Sequence, residues 1–158
     1  MYNVIDVCRH IINYSNDKRY GISNLKLQKI LYFVQAFFLI CKDRPCFREP
    51  IEAWDFGPVV PAAYREYKQF GSINIPYIET YFKFESKNLW DVVAMKYVDN
   101  VISDNDKKLI DMVVDKFSRY SATALVYLTC RQAPWKNSYS PDRANEIKLD
   151  ILKGYFAE

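Results

Sequence analysis

Between Ser23 and Cys41 the chain carries an apolar run that repeats at helical spacing and spills beyond a single face. Leu27, Ile30, Leu31, Val34, Phe37, Phe38 and Cys41 follow the three–four spacing of an α-helix, while Leu25, Phe33, Leu39 and Ile40 add apolar groups on other sides. A helix that is apolar nearly all round has to be covered on several sides, so it belongs at the centre of a bundle. Ser23 is placed to cap its start, and it should stop near Lys42, ahead of Pro45. Gln35 interrupts the run, which is also shorter than the ~20 residues that cross a bilayer. A membrane span is therefore not expected.

The flanking segments read as further helices with a small β component. Val4, Ile5, Cys8, Ile11 and Ile12 keep helical spacing behind Asn3, with Asp6 placed as in a capping box. Glu49 to Phe56 reads as extended, broken by Gly57-Pro58. Pro61 suits the first turn of a third helix lined by Ala63, Tyr64, Tyr67 and Phe70 and stopped at Gly71. Across Ser72 to Ile102, alternation at Ile73/Ile75 and Phe82/Phe84 suggests short strands, with a short helix over Leu89 to Val98 as the alternative. Ser103 or Asp104 opens a fourth helix with Ile110, Val113, Val114 and Phe117 inside. Ser121 caps a fifth, which Pro134 should end, and Leu149 to Phe156 forms a short last helix. The predicted fold is mainly α (α+β), a helical bundle around a buried central helix, in one domain over residues 1–158.

Composition narrows the function. The net charge is only +3, and lysine and arginine form no long run, so the basic stripe of a nucleic-acid binder is missing. No helix-turn-helix with a basic recognition helix is legible, and no DNA-binding extension is expected beside the domain. Cys8, Cys41, Cys46 and Cys130 match no zinc or thioredoxin-like spacing and read as reduced thiols in the cytoplasm. The start, MYNVIDVCRH, lacks the pattern of a signal peptide.

Catalytic groups are scarce. His10 is the only histidine, which removes multi-histidine metal sites and most nucleophile–histidine pairs. It reads as a partly exposed helix residue. Asp104 and Asp106 stand at a helix start, where carboxylates complement the dipole. No glycine-rich phosphate loop is present. Cys130 is the remaining nucleophile candidate, with Arg131 beside it to lower its pKa, but a small packing residue is the simpler reading. No cofactor, no metal and no enzymatic activity are expected.

Some of the 13 Tyr, 10 Phe and 3 Trp will fill the core, and those that remain outside favour a partner surface. Trp54, Phe56, Tyr64 and Trp135 are the candidate anchors, because they flank the turns marked by Gly57-Pro58 and Pro134. Each also has a packing alternative: Trp54 beneath the third helix, Trp135 as a plug at the end of the bundle. Lys26, Lys29, Arg65 and Lys68 are either solvated helix sides or, if they converge, a face for an acidic partner.

Three segments carry a resemblance: SNLKLQKILYFVQAFFL from Ser23, EAWDFGPVVPAAYREYKQFG from Glu52, and SATALVYLTCRQAPWKN from Ser121. Together they resemble the SocA-like antitoxin family, also called the Panacea domain, which includes phage-associated GepA-type proteins. Helix one and the terminal Ile147…Leu152…Tyr155-Phe156 pattern fall in the family's order, and Ser72 to Val101 matches least. Where the family often has L-T-H before its Pro-Trp pair, this chain has Leu128-Thr129-Cys130. The resemblance implies an antitoxin that neutralises a cognate protein toxin by direct binding. A second branch implies an adaptor that delivers its client to an ATP-dependent protease and so contacts an unfoldase. Neither role follows from spacing or charge. The oligomeric state is open.

Overall fold

A computed structural model describes residues 1–84, 86–88 and 90–158. Helices α1 (Val4–Asp17) and α2 (Asn24–Lys42) lead into strands β1 (Glu52–Trp54) and β2 (Gly57–Val59) and helix α3 (Pro61–Tyr67), which ends in a single 3-10 turn, Lys68–Phe70. Strands β3 (Thr80–Phe84) and β4 (Val92–Lys96) follow, then α4 (Asp104–Phe117), α5 (Ala122–Cys130), α6 (Ala133–Ser138), β5 (Asn145–Glu146) and α7 (Leu149–Phe156). Helical residues make up 51% of the chain, so the expectation of a mainly α fold with a small β component holds.

Helix α2 is the central element. Ser23 caps it by accepting from the Lys26 amide, and Asp43 closes it in the left-handed conformation at φ 55°. It packs against α1, α3, α4, α5, α7 and β2, and Leu27, Leu31, Tyr32, Val34 and Phe38 are fully buried. Phe33 stacks on Phe117 of α4 at 4.1 Å. Phe37 is only half-buried, and Ile40 and Cys41 are exposed, although Phe38 and Leu39 between them are buried.

The polar residues on this apolar helix pin the irregular segments. Gln35 Oε1 accepts from the amides of Cys46 and Phe47, and Nε2 donates to the Phe47 carbonyl. Gln28 accepts from the Val60 amide and donates to Asn24, whose amide donates to the Tyr64 carbonyl. Tyr32 donates to Gln132 at 2.8 Å. Asn24, Gln28, Tyr32 and Gln35 recur at helical spacing, so one buried stripe holds the loop after α2, the start of α3 and the α5–α6 junction.

Several sequence expectations change. Gly57-Pro58 does not simply break the extended segment; it begins β2, antiparallel to β1, with β5 on the other side in the order β2-β1-β5. Pro134 does not end α5, which stops at Cys130; it lies in the first turn of α6, where a missing amide hydrogen is harmless. Ile73 and Ile75 form no strand, and Ile75 is buried and held by its amide on the Ile22 carbonyl. The alternative helix over 89–98 is absent from its described residues, since Val92–Lys96 pairs with Thr80–Phe84; Leu89 lies outside the described residues.

Charged groups are also placed differently. His10 is buried, its Nε2 2.7 Å from Asp111 on α4 and its Nδ1 3.5 Å from Asp99. Asp6 pairs with Arg9 instead of closing a capping box. Ser103 caps α4, so Asp106 is not a cap: it is buried and accepts from Tyr2, Lys42 and Arg44. That cluster ties the N-terminus and the end of α2 to the start of α4. All four cysteines are free thiols. Among the described residues no helix is long and apolar enough to cross a membrane.

Candidate partner-binding groove

The turn between β1 and β2 is shaped by what lies beneath it. Gly57 has φ +101°, and a Cβ there would sit 2.7 Å from Lys29 Cε and 3.0 Å from Thr129 Oγ1. Only glycine fits that conformation and that approach. Lys29 of α2 is fully buried and donates its ammonium to the Pro58 carbonyl at 3.0 Å. Burial pushes the Lys29 pKa down to about 7, with Cys130 opposing weakly. Lys26 is also buried; its Nζ donates to the Ser118 carbonyl, and desolvation lowers its pKa. The four cations do not converge: Lys26 and Lys29 point inward instead of being solvated, while Arg65 and Lys68 remain exposed helix sides.

The turn is fixed from the other side by α6. Trp135 Nε1 donates to the Trp54 carbonyl at 2.9 Å, and Trp135 stacks on Tyr139 at 4.4 Å. Tyr139 in turn donates to Asp55 at 2.6 Å. Trp54 meets Tyr64 of α3 edge-on at 5.2 Å, and its indole nitrogen donates to Glu52.

This arrangement opens a groove of about 620 Å³. Leu25, Ala53 and Val59 contribute apolar surface, Trp54, Phe56 and Tyr64 supply the aromatic surface, and the Ser140–Ala144 turn borders it. Phe56 is 68% exposed, whereas Trp54 and Tyr64 are half-buried. Asn24 and Gln28, which also line it, already have hydrogen-bond partners, so the groove offers mainly apolar contact. Its charged residues are of both signs: Lys68 and Arg143, Asp55 and Asp142.

Three of the four anchors expected from sequence thus share one surface. Trp135 does not line the groove and packs against the core as the prop of the turn. Gly57, Pro58 and Pro134 act as shaping positions. Leu25, Tyr139 and the 140–144 turn are lining residues that sequence reading missed, and of the four cations it named only Lys68 lines the groove. A signal existed in Tyr139-Ser140-Pro141-Asp142, a turn-forming stretch with an aromatic at its start.

Cys130 is half-buried, and desolvation raises its pKa against a weaker lowering by Lys29. Arg131 does not activate it: its guanidinium lies 4.9 Å from the Tyr127 ring centroid. Among the described residues no cluster of three or more His, Cys, Asp or Glu is arranged to hold a metal.

The family model described as "Antitoxin SocA-like, Panacea domain" matches residues 27–136. The matched region contains the β1–β2 turn, α3 and Trp135, but stops short of Tyr139 and the 140–144 turn. Antitoxin SocA of Caulobacter vibrioides (strain NA1000 / CB15N) is 57% identical over 44 residues, which is 28% of this chain and 23% of that protein. The match thus spans under a quarter of that relative's length. No solved structure matches.

Proposed function

The chain belongs to the SocA-like antitoxin, Panacea domain family, and from that premise we propose that it neutralises a cognate protein toxin in the cytoplasm by binding it directly. In this reading the toxin is masked stoichiometrically, without catalysis. The observation that carries the reading is the convergence of Trp54, Phe56 and Tyr64, from separate elements, on one open apolar groove. Exposed aromatic side chains on a rigid frame give large contact area at small entropic cost, and their interactions dominate binding energy. The frame here is rigid because Lys29 and Trp135 hold the turn from below and behind. Lys68, Arg143 and Asp142 at the groove orient a partner rather than anchor it.

The reading also accounts for the chemistry of Cys130, whose thiol is deactivated by its surroundings. The test is co-expression with the product of the neighbouring gene, scored for growth and followed by co-purification. Neutralisation with a stable complex, lost in Phe56→Ala with unchanged melting, is the expected result. Shortening of the client's half-life would replace masking with delivery to a protease. Rescue without any complex would overturn direct binding.

A further inference from the structure

His10 is the only histidine of the chain, and the fold sets its ring between carboxylates from two different segments. The ring is buried on α1. Its Nε2 lies 2.7 Å from Asp111 of α4, and its Nδ1 lies 3.5 Å from Asp99, in the return leg that runs from β4 to α4. Asp99 is the hub of that leg. Lys107 of α4 donates to its main-chain carbonyl at 2.8 Å and lies 3.1 Å from its carboxylate, and the Tyr97 hydroxyl donates to that carboxylate at 3.1 Å.

The outgoing leg, before β3, is held differently. Asn13 of α1 accepts from the Ile78 amide at 2.7 Å and donates to the Ile78 carbonyl at 3.0 Å, and Asn16 donates to the Ile75 carbonyl at 3.0 Å. The Arg9 guanidinium lies 3.5 Å from the Tyr81 ring centroid. Arg9, His10, Asn13 and Asn16 share one side of α1, so this helix clamps both legs of the segment that carries β3 and β4. Of these four residues, only the histidine can change charge near neutral pH.

The two carboxylates set the proton count of the ring. A neutral imidazole has one N–H and one bare nitrogen, and only the imidazolium donates from both. With its N–H kept on the nearer Asp111, a neutral ring turns the lone pair of Nδ1 toward the Asp99 carboxylate, acceptor against acceptor at 3.5 Å. The imidazolium makes two ion pairs of the same geometry. Asp99 and the tyrosines around the ring do not titrate with it. Burial would raise the Asp99 pKa, but Lys107 and His10 hold it below the ordinary carboxylate range. Burial and Asp115 push Tyr14, whose ring stacks on His10 at 6.2 Å, well above the ordinary tyrosine value, and burial and Asp99 do the same to Tyr97. Lys107, Asp111 and Arg9, itself paired with Asp6, complete the charged surroundings.

We propose that His10 is a proton-operated latch: as the imidazolium it bridges Asp99 to Asp111 and holds the return leg, residues 97–102, against α1 and α4, and as the neutral ring it keeps Asp111 and lets go of Asp99. The release is partial, because Lys107 and Tyr97 still hold Asp99. The Asp99 side chain is 51% exposed, so losing the ring changes the opening equilibrium of the leg by no more than ~5-fold. The groove at Trp54 belongs to other elements, so this inference does not rest on the proposed function.

The test is amide hydrogen exchange of the full chain from about pH 5.5 to 8.5, corrected for the pH dependence of intrinsic exchange. Beside it runs a nuclear magnetic resonance titration of the ring, which a single histidine makes unambiguous. Residues 97–102 are expected to exchange up to ~5-fold faster at the alkaline end, with the midpoint of the ring's own titration. In Asp99→Asn the same residues should show no such step, and the ring should titrate at lower pH than in the wild type. His10→Gln should also abolish the step; should that buried substitution fail to fold, Asp99→Asn decides alone. Lys29 titrates in the same window, but it holds the β1–β2 turn, so residues 52–60 report it and 97–102 do not. A wild type whose ring titrates with no change over 97–102 overturns the proposal. A ring that keeps one protonation state throughout, or a step that persists in Asp99→Asn, overturns it equally.

Discussion

Lys29 donates its buried ammonium to the Pro58 carbonyl at 3.0 Å, and among the described residues no carboxylate pairs with it. A cation without a counter-ion in the core is costly, which is why burial pushes its pKa down to about 7. The unfolded chain keeps the ordinary lysine value, so between these two values it holds a proton that the native state has released. Stability from this group therefore rises with pH above about 7 and is flat below it, at up to about 1.4 kcal/mol per pH unit. Denaturant melts of wild type and Lys29→Met at pH 6 to 9 isolate the effect. The wild type should gain on the variant as pH rises, whereas parallel curves would mean that Lys29 stays charged throughout.

Gly57 lies against the same lysine, and its substitution tests the geometry instead of the charge. At φ +101° an L side chain is strained, and a Cβ would reach to 2.7 Å from Lys29 Cε. Gly57→Ala should lose about 1–3 kcal/mol from backbone strain alone. The turn carrying Trp54 and Phe56 must also shift, so partner binding should fall by more than the melting temperature predicts. Full affinity in Gly57→Ala would show that the turn's position is immaterial.

How far the sequence anticipates these contacts depends on which residues carry the signal. Helix α2 was legible because Leu27, Leu31, Val34 and Phe38 are placed by periodicity, and periodicity is a local property. The same pattern misplaced Phe37 and Cys41, since a helix apolar all round does not say which side its neighbours leave open. Lys26 and Lys29 read as solvated because lysine usually is, and only the approach of Pro58 and Ser118 gives their ammoniums acceptors inside. The β1–β2 turn was marked by Gly57-Pro58, but its pairing was not, because three-residue strands carry almost no alternation. Trp54, Phe56 and Tyr64 were singled out by their place beside that turn. That Trp135 would prop it from 81 residues away is a tertiary fact with no local trace. The polar stripe Asn24, Gln28, Tyr32 and Gln35 had such a trace, since polar residues at helical spacing on a buried helix have to find partners.

Asp106 offers a second pH dependence, of the same sign but in the acid range. Burial alone would raise its pKa, but donation from Arg44, Lys42 and Tyr2 holds it well below the usual carboxylate range. A depressed carboxylate contributes stability above its unfolded value of about 3.9, and that contribution is lost as pH falls through the folded value. Asp106→Asn leaves Lys42 and Arg44 unpaired. Both cations are partly solvated, so the loss should lie toward the lower end of the ~3–5 kcal/mol typical of broken buried pairs. The gap between wild type and variant should be constant from neutral pH to about pH 5 and narrow below about pH 4. A gap that persists unchanged at pH 3 would locate the stabilisation elsewhere.

The groove aromatics separate binding from support. Phe56 is 68% exposed, so Phe56→Ala removes little from the folded state. If it is an anchor in the masked complex, its loss should remove about 2 kcal/mol of binding, or ~30-fold in Kd. Trp135 does not line the groove but donates to the Trp54 carbonyl. Trp135→Phe keeps an aromatic ring beside Tyr139 but deletes that donor and part of the packed indole, so the Trp54 carbonyl loses its α6 partner, at about 1–3 kcal/mol if it stays unpaired, beside some lost packing. This variant should therefore melt earlier and bind more weakly, while Phe56→Ala binds weakly and melts normally. Combining the two gives the decisive measurement. If Trp135 acts by holding the turn on which Phe56 stands, the double variant binds better than the sum of the single losses allows. Strict additivity would mean that the two residues act on the partner independently, and wild-type affinity in Phe56→Ala would remove the groove from the binding surface.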